Sequence, residues 1–241
     1  MDSAVMVRRI PTVSVKAVMA VTGVVLFGFV LIHMLGNLQI WLPDGPEAMH
    51  KYAVSLRKLP GGLWLPRAVL LGAVLAHIAS AVALVRRNAA ARPVGYKKVR
   101  RDQATNYAAR TMPITGFLVM AYIVYHLLHL TGGLGIVGYD PQHPYNNVVS
   151  SFSSPVVAGV YIVANLLLGL HLFHGAWAWF NSLGLNSPRY NPWRRVFAVG
   201  LAGVITLGNV ALPLSVLAGA VQLSSQTFCA QELGPCADAS R

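Results

Sequence analysis

The runs TGVVLFGFVLIH, Thr22 to His33, and TGFLVMAYIVYH, Thr115 to His126, decide the fold of this chain. Each places a histidine eleven residues after the Thr of a Thr-Gly inside an apolar segment. Eleven residues are close to three helical turns of about 3.6 residues, so each histidine lies on the same helix face as its threonine. The two runs therefore indicate two copies of one helical unit.

A second pair of apolar segments repeats in the same manner: LGAVLAHIASA around His77 and LGLHLFHGAWA around His174. In both segments a histidine follows the Gly of a Leu-Gly by five residues, and small residues come next. The sequence therefore predicts four apolar helices that carry one equivalent histidine each.

The composition is that of an integral membrane protein. The chain of 241 residues is 55% hydrophobic and only 11% charged, which is too apolar for a soluble fold. Five segments are long enough to cross roughly 30 Å of hydrocarbon at about 1.5 Å per residue. We expect a single all-α transmembrane domain over residues 1–241, with spans near 17–41, 63–85, 112–132, 155–180 and 196–221.

The basic residues predict the orientation. With five spans, the amino terminus and the loops 86–111 and 181–195 lie on one side, and they hold 14 of the 19 Lys and Arg residues. The positive-inside rule places this side in the cytoplasm and the tail 222–241 outside a cytoplasmic (inner) membrane. Because the basic residues lie in short loops beside spans, topology and anionic lipid account for them, and no nucleic-acid partner is expected.

The depth of the four repeated histidines predicts how they pair. His33 and His126 lie near the outward ends of their spans, whereas His77 and His174 lie near the cytoplasmic ends. Two pairs of neutral imidazoles, each bridging two helices, are what two bis-histidine b-type haems require. We therefore predict that the first four spans form a haem-binding bundle, with an outer haem on His33 and His126 and an inner haem on His77 and His174. A proton relay is disfavoured because the spans lack Asp and Glu.

Two further histidines compete with the predicted ligands. His129 follows His126 by three residues, and His171 precedes His174 by three residues, so each lies on nearly the same helix face as its neighbour. The internal repeat favours His126 and His174, because only these have counterparts in the partner segment. The spare pair is left to bind haem carboxylates, quinone oxygens or backbone carbonyls.

The only two cysteines, Cys229 and Cys236, lie in the outward tail. A disulfide that closes a short loop is the expected state on an oxidising side of the membrane. Half of a Rieske-type cluster is the alternative, which the distance along the chain from the buried histidines disfavours.

The chain resembles the five-helix di-haem cytochrome b subunit that anchors succinate dehydrogenase or fumarate reductase, respiratory complex II. The resemblance covers all five spans and is most specific at Thr22-Gly23 with His33, at Thr115-Gly116 with the HLLHLTGG run from His126, and at HLFHGAWAWFNSLGLNSPRY from His171. It implies that His33, His77, His126 and His174 are the haem axial ligands. It also implies soluble flavoprotein and iron-sulfur subunits docked on the cytoplasmic face, which the basic loops would suit.

The chemistry implied by the resemblance is quinone reduction by a subunit that does not itself touch succinate. A quinone head needs hydrogen-bond partners and a proton source in an apolar slot. The outer candidates are Asn37, Gln39, Tyr125 and His129, and the inner candidates are Ser80, Arg86, Arg110 and Trp177. The sequence leaves open whether the quinone is menaquinone or ubiquinone and whether the complex oligomerises.

Two other functions remain alternatives at this point. One is the haem b subunit of a different membrane oxidoreductase, such as a hydrogenase or a formate dehydrogenase. The other is a haem-free structural anchor, whose histidines pack helices while quinone is reduced at the iron-sulfur interface.

Overall fold

The computed structural model describes residues 10–91, 107–185 and 187–226, and for 107–110 only the backbone. These residues form helices and no strand, so the predicted all-α fold is confirmed. A 3₁₀ turn, Leu38–Trp41, continues the first helix, and a π turn, Leu127–Thr131, continues the fourth. The helices are α1 Thr12–Asn37, α2 Gly45–Arg57, α3 Trp64–Ala90, α4 Tyr107–His126, α5 Pro144–Phe152, α6 Pro155–Ser182 and α7 Asn191–Leu217.

Within the described ranges, five segments are long and apolar enough to cross a membrane, in agreement with the predicted number. The fifth begins at Asn191, five residues earlier than expected, because Pro192 provides a favourable first turn. It ends at Leu217, where Gly219 adopts a φ of 73° that terminates a helix without strain. The five spans are Thr12–Trp41, Trp64–Ala90, Thr111–Thr131, Pro155–Ser182 and Asn191–Leu217.

The spans pack as two helix pairs joined by the fifth span. α1 packs on α3 and α4 packs on α6, while α7 lies along α6 and also contacts α1. A buried cluster joins the three helices α1, α6 and α7; it consists of Phe27, Met34, Leu172, Ala176, Ala198, Ala202 and Ile205. The fifth span is therefore part of the core and does not merely flank the first four.

The short helices α2 and α5 close one end of the bundle, which we call the cap end. Both helices lie in segments that connect successive spans, α2 between the first and second spans and α5 between the third and fourth. The Arg57 guanidinium donates to Gln142 Oε1 and to the carbonyl of Pro141, both at 2.7 Å. These bonds hold the chain before α5 onto α2, which is why this polar stretch is ordered against the bundle.

The opposite end of the bundle carries the charged ends of α3 and α7, and we call it the basic end. Its described cations are Lys16, Arg86, Arg87, Arg189, Arg194 and Arg195. Two predictions fall outside the described part of the chain: the disulfide between Cys229 and Cys236, and a quinone contact from the Arg110 side chain.

The closest approach between α6 and α7 depends on Gly169. A Cβ atom at this position would collide with Thr206 Oγ1 of α7. We expect Gly169→Ala to lower the free energy of unfolding in detergent by about 1–3 kcal/mol, the usual cost of overpacking. Gly203→Ala is the matched control, since no atom lies within 4 Å of a Cβ there, and it should be neutral or slightly stabilising. Equal stability of the two variants would contradict this packing.

Candidate functional site

Two pairs of histidine rings meet between the α1/α3 pair and the α4/α6 pair. His33 on α1 faces His126 on α4, with ring centres 5.9 Å apart and ring planes at 88°. His77 on α3 faces His171 on α6, with ring centres 6.4 Å apart and planes at 66°. Each contact therefore joins one helix of the first pair to one helix of the second.

The glycine of each Thr-Gly marks the level of the second ring pair. An ideal Cβ on Gly23 would lie 3.4 Å from His77 Cε1, and one on Gly116 would lie 3.3 Å from His171 Cε1. The absent side chains thus let α1 and α4 approach the imidazoles of α3 and α6. In this arrangement His171 is the structural counterpart of His77.

The two ring pairs are separated by the same length of helix on α1 and on α4. Gly23 precedes His33 by ten residues, and Gly116 precedes His126 by ten residues. Ten residues at about 1.5 Å per residue place the two levels about 15 Å apart along the bundle. The Thr-Gly runs therefore set the spacing of both levels.

The His77 ring has a fixed orientation. Its Nδ1 lies 3.2 Å from the carbonyl oxygen of Met19 and 3.2 Å from Thr22 Oγ1. A carbonyl only accepts, so Nδ1 carries the proton and Nε2 keeps its lone pair. An N–H group bound to a backbone carbonyl is the usual support of a metal-binding histidine.

The π turn after α4 separates the two competing histidines. In a regular α-helix, residues three apart lie about 60° apart around the axis, and the wider π turn increases this angle. His126 faces His33, whereas His129 is buried and its Nδ1 lies 2.9 Å from the Tyr161 hydroxyl. Tyr125 stacks on His129 with ring centres 5.3 Å apart. His129 is therefore already engaged by its neighbours.

On α6, as at the end of α4, two histidines three residues apart are candidate ligands, here His171 and His174. The ring in contact with His77 is that of His171. His174 lies three residues further towards the basic end, and its Nδ1 is buried without a hydrogen-bond partner among the described residues. Ligation by His174 stays a prediction, but the geometry favours His171. The signal for His171 is the contact with Gly116, which needs the three-dimensional arrangement to be seen.

The outer quinone candidates lie at the cap end, around the His33/His126 pair. Asn37 ends α1 and Gln39 follows in the 3₁₀ turn, and both side chains are partly buried. Tyr125 and His129 stack on each other beside Tyr161. The structure thus brings Tyr125 together with His129, while Asn37 and Gln39 lie on a different helix.

The inner candidates lie towards the basic end and do not share one environment. Ser80 is 7% exposed on α3, whereas Arg86, near the end of the same helix, is exposed. Trp177 on α6 lies under the guanidinium of Arg194, 5.1 Å from the ring centre. Trp177 is therefore held by α7.

Arg194 is a buried cation at the start of α7, whereas its neighbour Arg195 is exposed. Arg194 is 4% exposed and donates to the Trp177 carbonyl at 3.1 Å and to Asn181 Oδ1 at 2.9 Å. A cation at the carboxyl end of α6 interacts favourably with the helix dipole. The only sequence signal is the basic pair beside α7, which does not distinguish the buried Arg194 from the exposed Arg195.

The ring spacings fit one metal ion between each pair. A metal–imidazole bond is about 2.0 Å and a ring nitrogen lies about 1 Å from the ring centre, so two axial imidazoles have centres about 6 Å apart. The described residues contain no group of three or more His, Cys, Asp or Glu side chains suited to a bare ion. A bis-histidine haem needs only two protein ligands, because the porphyrin supplies the others.

Unpartnered ring nitrogens provide a second test of fit. The Nδ1 atoms of His126 and His171 are buried, and neither has a hydrogen-bond partner in the described ranges. A buried polar atom without a partner costs free energy, so these rings suit a site that supplies one. Both rings belong to the facing pairs, but the Nδ1 atom of His174, outside those pairs, is unpartnered as well, so the ring spacing is the more specific observation.

Comparisons of the chain with protein-family models, with curated proteins and with solved structures found no match. The assignment of function therefore depends on the geometry of the two ring pairs and on the motifs of the sequence.

Adding one methyl group at Gly116, by substitution with alanine, tests its close approach to His171. We expect Gly116→Ala to displace the His171 ring by a few tenths of an ångström and to weaken a metal group held there by about 1 kcal/mol or more. The measurement is the low-spin haem signal in electron paramagnetic resonance spectra, in which the signal from the His77/His171 level should change and that from the His33/His126 level should stay unchanged. Gly159→Ala, where no atom lies within 4 Å of a Cβ, is the control. An unchanged spectrum of Gly116→Ala would contradict the contact.

Proposed function

We propose that this chain is the di-haem cytochrome b subunit that anchors a succinate:quinone oxidoreductase in the cytoplasmic membrane. The observation that carries the proposal is the pair of facing imidazoles at each of two levels, with ring centres 5.9 and 6.4 Å apart inside a five-span bundle. The motifs that resemble the complex II anchor contribute these same rings and the glycines beside them.

In this proposal His33 and His126 hold the outer haem, and His77 and His171 hold the inner one. Bound haem supplies one-electron transfer between the two levels. The hydrogen bonds of His77 to Met19 and Thr22 fix the orientation of its ring. Nonpolar surroundings and axial imidazoles together set the reduction potential of such a site.

The partners follow from the charge distribution. The basic end faces the cytoplasm under the positive-inside rule, with the amino terminus on that side and the carboxyl terminus outside. A soluble iron-sulfur subunit docks there and carries a flavoprotein that oxidises succinate. The anchor passes the electrons to a membrane quinone, menaquinone or ubiquinone, and does not touch succinate.

Haem stoichiometry tests the ligand scheme directly. We expect two haems b per chain in the purified complex, and the loss of one haem in each of His33→Ala, His77→Ala, His126→Ala and His171→Ala. The measurement is the pyridine haemochrome spectrum per mole of protein. His129→Ala is the control, because this ring is bound to Tyr161, and it should keep both haems. Loss of a haem on replacing His174 but not His171 would restore the ligand pair that the sequence repeat predicts.

Composition of the complex separates this function from its alternatives. We expect the chain to co-purify with a flavoprotein that oxidises succinate and with an iron-sulfur protein, as identified by mass spectrometry and by succinate:quinone activity. Co-purification with a nickel or molybdenum enzyme instead would assign the chain to a hydrogenase or a formate dehydrogenase. An active complex without a Soret band would reduce its role to a haem-free anchor.

A further inference from the structure

Ser80 and His174 lie at the same level of the bundle by helix register. α3 and α6 hold the second and fourth spans, so they cross the membrane in the same direction. The contact between His77 and His171 sets their relative height. Three residues further along each helix, about 4.5 Å closer to the basic end, come Ser80 and His174.

Ser80 is buried, and His174 is partly buried with its Nδ1 atom fully enclosed. Ser80 is 7% exposed, and its hydroxyl forms no hydrogen bond with any described residue, although serines in helices usually bond a carbonyl of the preceding turn. The Nδ1 atom of His174 is buried and has no partner within the same described part of the chain. Two hydrogen-bonding side chains without partners at one level indicate a ligand that carries oxygen acceptors.

If the proposed function is correct, the oxygen acceptors at the level of Ser80 and His174 belong to the inner haem. The outer carbons of a porphyrin carry its substituents and lie about as far from the iron as one turn of helix is long, about 5 Å. Haem b has two carboxylate side chains on one edge. Because a carboxylate is costly inside hydrocarbon, that edge turns towards the nearer polar end of the bundle, where Arg86 lies six residues beyond Ser80.

We propose, on the basis of the function proposed above, that Ser80 and His174 donate hydrogen bonds to the carboxylate edge of the inner haem. His174 is then a binding residue for the porphyrin and not an iron ligand. Its N–H group and the Ser80 hydroxyl disperse the negative charge of the carboxylates, which otherwise stabilises the oxidised iron.

A redox titration of the intact complex tests this role. We expect His174→Leu to keep two haems and to lower the midpoint potential of one of them, with a further decrease in the double variant with Ser80→Ala. His174→Gln keeps an N–H donor and should restore most of the potential. His129→Gln, next to the outer pair, is the control and should leave the inner potential unchanged.

Each other outcome overturns the inference in an identifiable way. Two haems with unchanged potentials in His174→Leu exclude the carboxylate contact. Unchanged potentials together with a raised KM for quinone assign the two donors to a quinone carbonyl instead. Loss of the inner haem in His174→Leu, with retention in His171→Ala, makes His174 the iron ligand. A wild-type complex without haem overturns the proposed function as well, whereas the other three results leave it standing.

Discussion

The cost of a polar ring nitrogen without a partner inside hydrocarbon is the constraint on which this structure depends. Neutral imidazole carries one donor and one acceptor, and the lipid phase supplies neither. The bundle solves this in two ways. His129 bonds Tyr161, and His77 bonds the Met19 carbonyl and Thr22, so these rings are satisfied by protein on at least one side. The other rings of the facing pairs lie between the α1/α3 pair and the α4/α6 pair. Their ring nitrogens without hydrogen-bond partners are therefore grouped at two levels of the bundle.

Small residues allow this arrangement because they bring helices close enough for rings to reach across. Gly23 and Gly116 each leave room for an imidazole of the next span, and Gly169 leaves room for Thr206 of the fifth span. α6 is thus packed between two helices, with α7 against Gly169 and α4 against His171. Since membrane helices gain little from apolar burial alone, such close contacts and the polar groups within them supply much of the specificity of packing.

Much of this architecture was predictable from the sequence, because apolar length and histidine spacing are local properties. The number of spans followed from five long apolar segments, and the two Thr-Gly runs placed His33 and His126, whose rings face each other, at one level. The contact of His77 with His171 could not be read from the Leu-Gly repeat, because this repeat equates two glycines that have different surroundings. Gly72 has open space around it, whereas Gly169 packs on Thr206. Likewise α5 is fixed by Arg57 on a distant helix, and Arg194 is buried by the end of α6, so neither is visible in its own sequence neighbourhood.

The distance between the rings bears on whether the histidines bind metal or only pack helices. Two imidazoles joined by a direct N–H···N hydrogen bond of about 3 Å have their centres about 5 Å apart. The observed separations of 5.9 and 6.4 Å are wider than that and close to the value of about 6 Å for two axial ligands of one metal ion. No hydrogen bond joins the rings within either pair in the described part of the chain, and the Nδ1 atoms of His126 and His171 are unpartnered. The same distances lie within the roughly 4.5–7 Å that is usual for edge-to-face ring pairs, so the spacing agrees both with a group held between the rings and with direct packing.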